Sequence, residues 1–190
     1  DLIDNVLDMA KIENGKVTLT EECCNLEECI EKARNILQTE IDKKHLIFQT
    51  DMSDVKNKWV YCDNIRISQI LFNILNNAVK FNKTGGSILV TMSQNMCAIR
   101  EYAAYEIHIK DNGIGITPEF LSHIFEPFER EHTSTVSQTQ GVGLGMSITK
   151  NLVDLMGGSI QVFSEPDKGT EFVLNFTFKL QEQEMVQQEQ

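Results

Sequence analysis

The chain has 190 residues, enough for one well-buried domain with an appendage and barely enough for two small ones. Its 41% apolar and 24% charged content is that of an ordinary globular protein, and no apolar run approaches a membrane span. A formal net charge of -11 argues against nonspecific binding to nucleic acid or to an acidic membrane surface, while leaving room for an anionic small ligand neutralised by a metal ion or local cations. The five cysteines (Cys23, Cys24, Cys29, Cys62, Cys97) are odd in number and contain no Cys-x-x-Cys pair. That spacing leads us to expect neither a disulfide framework nor a zinc site, and a reducing compartment.

In chain order, residues 1 to about 14 read as the end of a helix with a broad apolar face that needs a partner, and the first residue is not Met, so the chain reads as a piece of a longer one. Lys16 to Thr20 reads as a short strand, with Cys23-Cys24 at a strand-to-helix turn. Asn25 and Glu28 have capping-box spacing, followed by apolar residues at helical spacing to about Lys43. Leu46 to Asp51 and Trp59 to Cys62 read as strands. Asp63 caps a helix with Ile67, Ile70, Leu71, Ile74, Leu75, Ala78 and Val79 on its apolar face.

After a turn at Gly85-Gly86, Ser87 to Ser93 and Tyr105 to Lys110 alternate like half-buried strands. Thr117-Pro118-Glu119 opens a short helix. Phe125 and Phe128, three apart, are expected to pack in the core, and Glu131 to Gln140 is polar and aperiodic, so it is expected to be mobile. Gly145 to Met156 reads as a helix. Ser159 to Ser164 and Glu171 to Phe178 form a hairpin around Pro166 to Gly169, and the residues from Gln181 read as a polar linker.

Several stretches carry candidate chemistry. In Asp111-Asn112-Gly113-Ile114-Gly115-Ile116 an acid follows a strand, and the glycines let backbone lie against a flat ligand, although the same letters also write an ordinary turn. Asn73, Asn77 and Lys80 fall on one helical face. Asparagine oxygens suit Mg²⁺ and a lysine suits phosphate, while a repeating solvent-exposed face is an equal alternative. Gly141-Val142-Gly143-Leu144-Gly145 runs into a helix and offers backbone amides to an anion, or else a hinge. It matches neither a P-loop nor the Rossmann fingerprint. Arg130 stands at the edge of the polar segment, and Gly169-Thr170 precedes the last strand.

Taken in order, Asn-x-x-x-Asn-x-x-Lys-Phe, Asp-x-Gly-x-Gly, Phe-x-x-Phe, Gly-x-Gly-x-Gly and Gly-Thr resemble the ATP-binding domain of sensor histidine kinases of two-component systems, over residues 16–180. Residues 1–15 resemble the end of the second helix of that family's dimerisation and phosphoacceptor domain, residues 181–190 a linker, and the segment from Glu129 to Lys150 the hybrid kinases, in which a receiver domain often follows. The resemblance implies an α/β fold, a Bergerat-type two-layer sandwich with a mixed sheet covered by helices on one face. It implies ATP and Mg²⁺ as ligands: Asp111 on the adenine amino group with Gly113, Gly115 and Ile116 beside it, Phe81 near the base and Asn77 on the metal. Asn73, Lys80 and Arg130 would attend the phosphates, Gly141, Gly143, Leu144 and Gly145 would cradle the triphosphate, and Thr170 would support the base pocket.

The partners so implied are the phosphoacceptor helices of the parent chain and a response-regulator receiver domain. The full-length protein would be a cytoplasmic or membrane-anchored homodimer and this chain a monomer. None of the four histidines (His45, His108, His123, His132) stands in the family's His-Glu/Asp acceptor motif, so no catalytic acceptor is expected here, and Val142 replaces a common Thr. Related ATPases place a glutamate base where this chain has Asn73, which cannot take a proton from water. The readings left beside a histidine kinase are a degenerate interaction module and a serine kinase of the same fold.

Overall fold

The computed structural model describes residues 18–129 and 143–181. Among them seven strands form one mixed sheet. Strand β1 (Glu22–Asn25) leads into helix α1 (Leu26–Lys43), then come β2 (Ile47–Asp54), β3 (Trp59–Cys62) and helix α2 (Asn64–Lys80). Strands β4 (Ser87–Met96) and β5 (Tyr102–Asp111) form a hairpin, followed by the short α3 (Pro118–Leu121), helix α4 (Gly145–Leu155) and the hairpin β6 (Ser159–Glu165) and β7 (Gly169–Leu180).

The sheet order is β1-β3-β7-β5-β4-β2, with β2 parallel to β4 and every other pair antiparallel. The long β7 lies along β5 on one edge, and its other edge is shared by β6 near its start and β3 near its end. Alternation decides which face is covered. Ala103, Tyr105, Ile107 and Ile109 of β5 are buried, with Ile88, Val90 and Met92 of β4, whereas Glu106, His108 and Thr91 face the other way. The covered face carries α1, α2 and α4, and α2 lies between the other two. Its stripe Ile67, Ile70, Leu71, Ile74, Leu75, Ala78 and Val79 is buried throughout. This is the two-layer α/β sandwich the sequence implies.

Local capping follows the sequence closely. The Asn25 side chain accepts from the N–H of Glu27 and Glu28, and Asp63 accepts from the N–H of Arg66. The Asp63 carboxylate also takes the N–H of Thr20 at 3.0 Å, tying the first described residues to the start of α2.

The structure corrects several expectations. Cys23 and Cys24 lie within β1, not at a turn, and residues 18–20 form no strand; Lys16 and Val17 lie outside the described residues. Strand β1 pairs with β3, which brings the buried Cys24 and Cys62 together as a disulfide with Cα atoms 6.6 Å apart. Spacing along the chain could not reveal it, because 38 positions separate partners that only strand pairing makes neighbours. Phe125 packs against the core as expected, but Phe128 is 64% exposed: its backbone sits at φ +65°, which turns the ring outward while its N–H bonds the carbonyl of Gly143. Among the described residues no helix is long and apolar enough to cross a membrane.

Candidate functional site

The strand β5 delivers Asp111 to the sheet end, half-buried, where the chain must turn back over β7. One carboxylate oxygen, Oδ1, accepts the N–H of Gly113 at 2.8 Å and that of Thr170 at 3.3 Å. The other, Oδ2, makes no hydrogen bond among the described residues. Burial pushes the Asp111 carboxyl up to about 6, against the opposing pull of the Gly113 and Thr170 N–H groups.

The turn is held on both sides. The N–H of Ile114 bonds the carbonyl of Phe81 at 3.1 Å, and the N–H of Asp167 bonds the carbonyl of Ile114 at 2.7 Å. Ile116 donates to the hydroxyl of Ser164, which donates to the carbonyl of Gly169 and meets Thr170 Oγ1 at 3.0 Å. A Cβ on Gly113 would stand 2.5 Å from the carbonyl oxygen of Phe81 and 2.9 Å from Asp111 Oδ1. Gly115 adopts φ +68°, and a Cβ there would strike the carbonyl of Glu165. Both glycines are thus required by the fold of the loop, as well as by any ligand against it.

Helix α2 runs up to the same corner. Asn77 and Lys80 lie half-buried in its last turns, and Phe81 is its C-cap, with Lys80 Nζ 5.0 Å from the Phe81 ring centroid. No hydrogen bond to the Asn77 amide is formed among the described residues. An unengaged amide oxygen fits Mg²⁺, which commonly takes one or two protein ligands and completes its shell with phosphate oxygens and water. Clusters of three or more His, Cys, Asp or Glu suited to a metal do not occur among the described residues.

Asn73, one turn earlier, faces a different element. Its amide nitrogen donates to the carbonyl of Gly145 at 3.3 Å and to Thr149 Oγ1 at 3.2 Å. It therefore clamps α2 to the first turn of α4. That turn has no side-chain N-cap, so its leading amides stay open to an anion. Leu144 precedes it with its side chain in the core at 1% exposure, so only its backbone can serve a ligand. Gly143 lies just before, at φ +79°. Arg130, Gly141, Val142 and His132 lie outside the described residues.

The structure thus ties Phe81, Asp111, Gly113 and Thr170 together at one corner, with Asn77 and Lys80 in the last turns of the helix that ends there, while Asn73 joins that helix to Gly145. Ser164 was not anticipated. Its only sequence signal is the inward phase of β6, which says nothing of the hydroxyl's partners. His108 lies on the open sheet face between Glu106 and Glu171, while His123 pairs with Glu126 on the surface.

The chain belongs to the histidine kinase-, DNA gyrase B- and HSP90-like ATPase family, whose model matches residues 62–182. Within it the chain is homologous to sensor histidine kinases. It is 32% identical over 180 residues to the autoinducer 2 sensor kinase/phosphatase LuxQ of Vibrio parahaemolyticus serotype O3:K6, covering 94% of this chain and 21% of that one. It is 33% identical over 156 residues to the aerobic respiration control sensor protein ArcB homolog of Haemophilus influenzae, covering 82% and 46%. Among solved structures, full-length ShkA in complex with AMPPNP superposes with a TM-score of 0.75 at 27% identity, covering 96% of this chain and 36% of that one. The chain spans about a fifth of the LuxQ relative's length. The fold is that of histidine kinase ATPase domains.

Proposed function

We propose that residues 16–180 are the Mg-ATP-binding catalytic domain of a sensor histidine kinase, which passes the γ-phosphoryl group to a histidine on a separate phosphoacceptor helix, for relay to an aspartate of a response-regulator receiver domain. The observation that carries this reading is the Asp111 carboxylate, fixed through Oδ1 by two backbone N–H groups and presenting Oδ2 at a corner lined with glycine. That oxygen suits the exocyclic amino group of adenine. Asn77 would hold Mg²⁺, which neutralises phosphate charge when bound. Lys80, Arg130 and the amides of Gly141, Gly143 and Gly145 at the start of α4 would orient the phosphates, and Phe81 would lie against the base beside Gly115 and Ile116.

The chemistry is in-line transfer to an imidazole nitrogen, to which the protein contributes positioning and charge neutralisation. Asn73 supports transfer over hydrolysis. Its amide cannot act as a base, and its N–H is occupied by Gly145 and Thr149. Residues 1–15 would belong to the dimerisation helix and 181–190 to a linker, on the cytoplasmic side of any membrane anchor. The full-length protein would be a homodimer. The chain alone would be monomeric, binding Mg-ATP without phosphorylating itself, since no histidine is followed by an acid.

The test mixes this chain and γ-labelled Mg-ATP with a separately made phosphoacceptor helix pair of its parent protein. Acid-labile label on the helix pair, lost with Asn77→Ala, is the expected result. Label on the isolated chain, or hydrolysis without transfer, would overturn the reading.

A further inference from the structure

Lys44 is the C-cap residue of α1, and its backbone is pinned at both ends: its N–H bonds Glu40 at 3.1 Å, and its carbonyl accepts from Gly85 at 2.8 Å. Its side chain crosses to the neighbouring helix. There the ammonium donates to three carbonyls, those of Val79 at 2.9 Å, Lys80 at 2.7 Å and Asn82 at 3.0 Å. An ammonium has three donors, so all are used.

The carbonyls it takes lie at the C-terminal end of α2, where the last turn of any helix leaves oxygens without intrahelical partners and gathers about half a negative charge. Here that end also holds the candidate ligands Asn77, Lys80 and Phe81. The loop beyond it is fixed to the Asp111 turn: Phe81 accepts from Ile114, while the buried Asn82 donates to the carbonyl of Ser87, whose N–H donates to Asn112 Oδ1 at 2.7 Å. An unneutralised helix end would repel a polyphosphate lying beside it, and would leave Lys80 and Phe81 free to fray.

We infer that Lys44 is a positioning residue for the nucleotide, holding the end of α2 in place and cancelling its negative potential so that an anionic phosphate chain can bind there. It touches no substrate atom. The inference rests on the nucleotide reading above and extends it to a residue on a different helix from Asn77 and Lys80.

Calorimetric titration of the 190-residue chain with Mg-ADP and with adenosine separates charge from shape. Lys44→Met is expected to weaken Mg-ADP about fivefold, the scale of a charge at a helix end, and adenosine by less than about twofold. Lys44→Arg, which keeps the charge and several donors, should restore most of the Mg-ADP affinity. Lys43→Met removes an exposed neighbouring charge and should match wild type. Unchanged Mg-ADP affinity in Lys44→Met, equal losses for adenosine and Mg-ADP, or the same loss in Lys43→Met would each overturn the inference. Should Lys44→Met not fold, Lys44→Gln takes its place, and failure of every Lys44 variant to fold would mark a general structural role and overturn it too. Wild-type protein that binds no Mg-ADP would instead sink the nucleotide reading, and the role of Lys44 with it.

Discussion

Asp111 and Thr170 meet across the β5–β7 junction, the Thr170 N–H donating to Asp111 Oδ1 at 3.3 Å. The contact fixes a half-buried carboxylate, and its partial removal from water disfavours the ionised form. Its affinity for a proton is raised, from an ordinary 3.8 to about 6. A folded-state value above the unfolded one means the native protein binds the proton more tightly, so stability falls as pH rises from about 4 to about 6. Above that window the ionised group opposes folding by on the order of 3 kcal/mol.

Asp111→Asn removes that charge and is expected to raise the thermal midpoint at neutral pH. Its amide N–H would face the adenine amino group, so Mg-ADP affinity should drop at least about tenfold, the scale of one charge-assisted hydrogen bond. Calorimetry with thermal melts checks both at once. Unchanged affinity would return the loop to an ordinary turn.

Asn77→Ala removes the amide proposed to hold the metal. Wild-type protein should bind ADP more tightly with Mg²⁺ than with a chelator present. In the variant that difference should largely vanish, while the melting curve stays close to wild type because the side chain is only half-buried.

His108 gives the open sheet face its own pH dependence. Its Nδ1 lies 2.9 Å from Glu171 Oε1 and its Nε2 3.0 Å from Glu106 Oε1, and only the imidazolium can donate to both. Burial alone would lower its proton affinity; the two carboxylates overcome this and raise it. The stabilisation is therefore full below the ordinary value of 6.5 and fades as pH rises through the folded-state value. His108→Gln should cost more stability at about pH 5.5 than at about pH 8 in paired thermal melts.

Gly115→Ala puts a side chain at φ +68° and against the carbonyl of Glu165. Denaturant unfolding should show a loss of roughly 1–3 kcal/mol, the cost of a left-handed non-glycine residue held by its surroundings. Adenosine binding should weaken alongside, because Ile116 is anchored to Ser164 from the same loop.

The Cys24–Cys62 pairing is checked by counting thiols. Protein purified without reductant and then unfolded should expose three free thiols, those of Cys23, Cys29 and Cys97. All five titrating would show the pair reduced, as the sequence spacing had suggested.

By itself the sequence determined what is written in short-range order. The apolar stripe of α2, the caps Asn25 and Asp63, and the alternation of β5 depend on residues within a few positions of one another, and the motif order around Asn77, Asp111 and Gly143 announced the family. Tertiary structure decided everything that joins distant positions. Strand pairing made neighbours of Cys24 and Cys62, helix packing turned Asn73 onto Gly145 and brought Lys44 to the end of α2, and the β6–β7 hairpin carried Ser164 and Thr170 to Asp111. Phe128 marks the boundary between the two: its spacing from Phe125 spoke for the core, but a positive φ and a backbone bond to Gly143 turned it to solvent. Hydrophobic periodicity is a local quantity and survives in the letters. A hydrogen bond between residues far apart in the chain depends on register and packing, which the whole fold sets together.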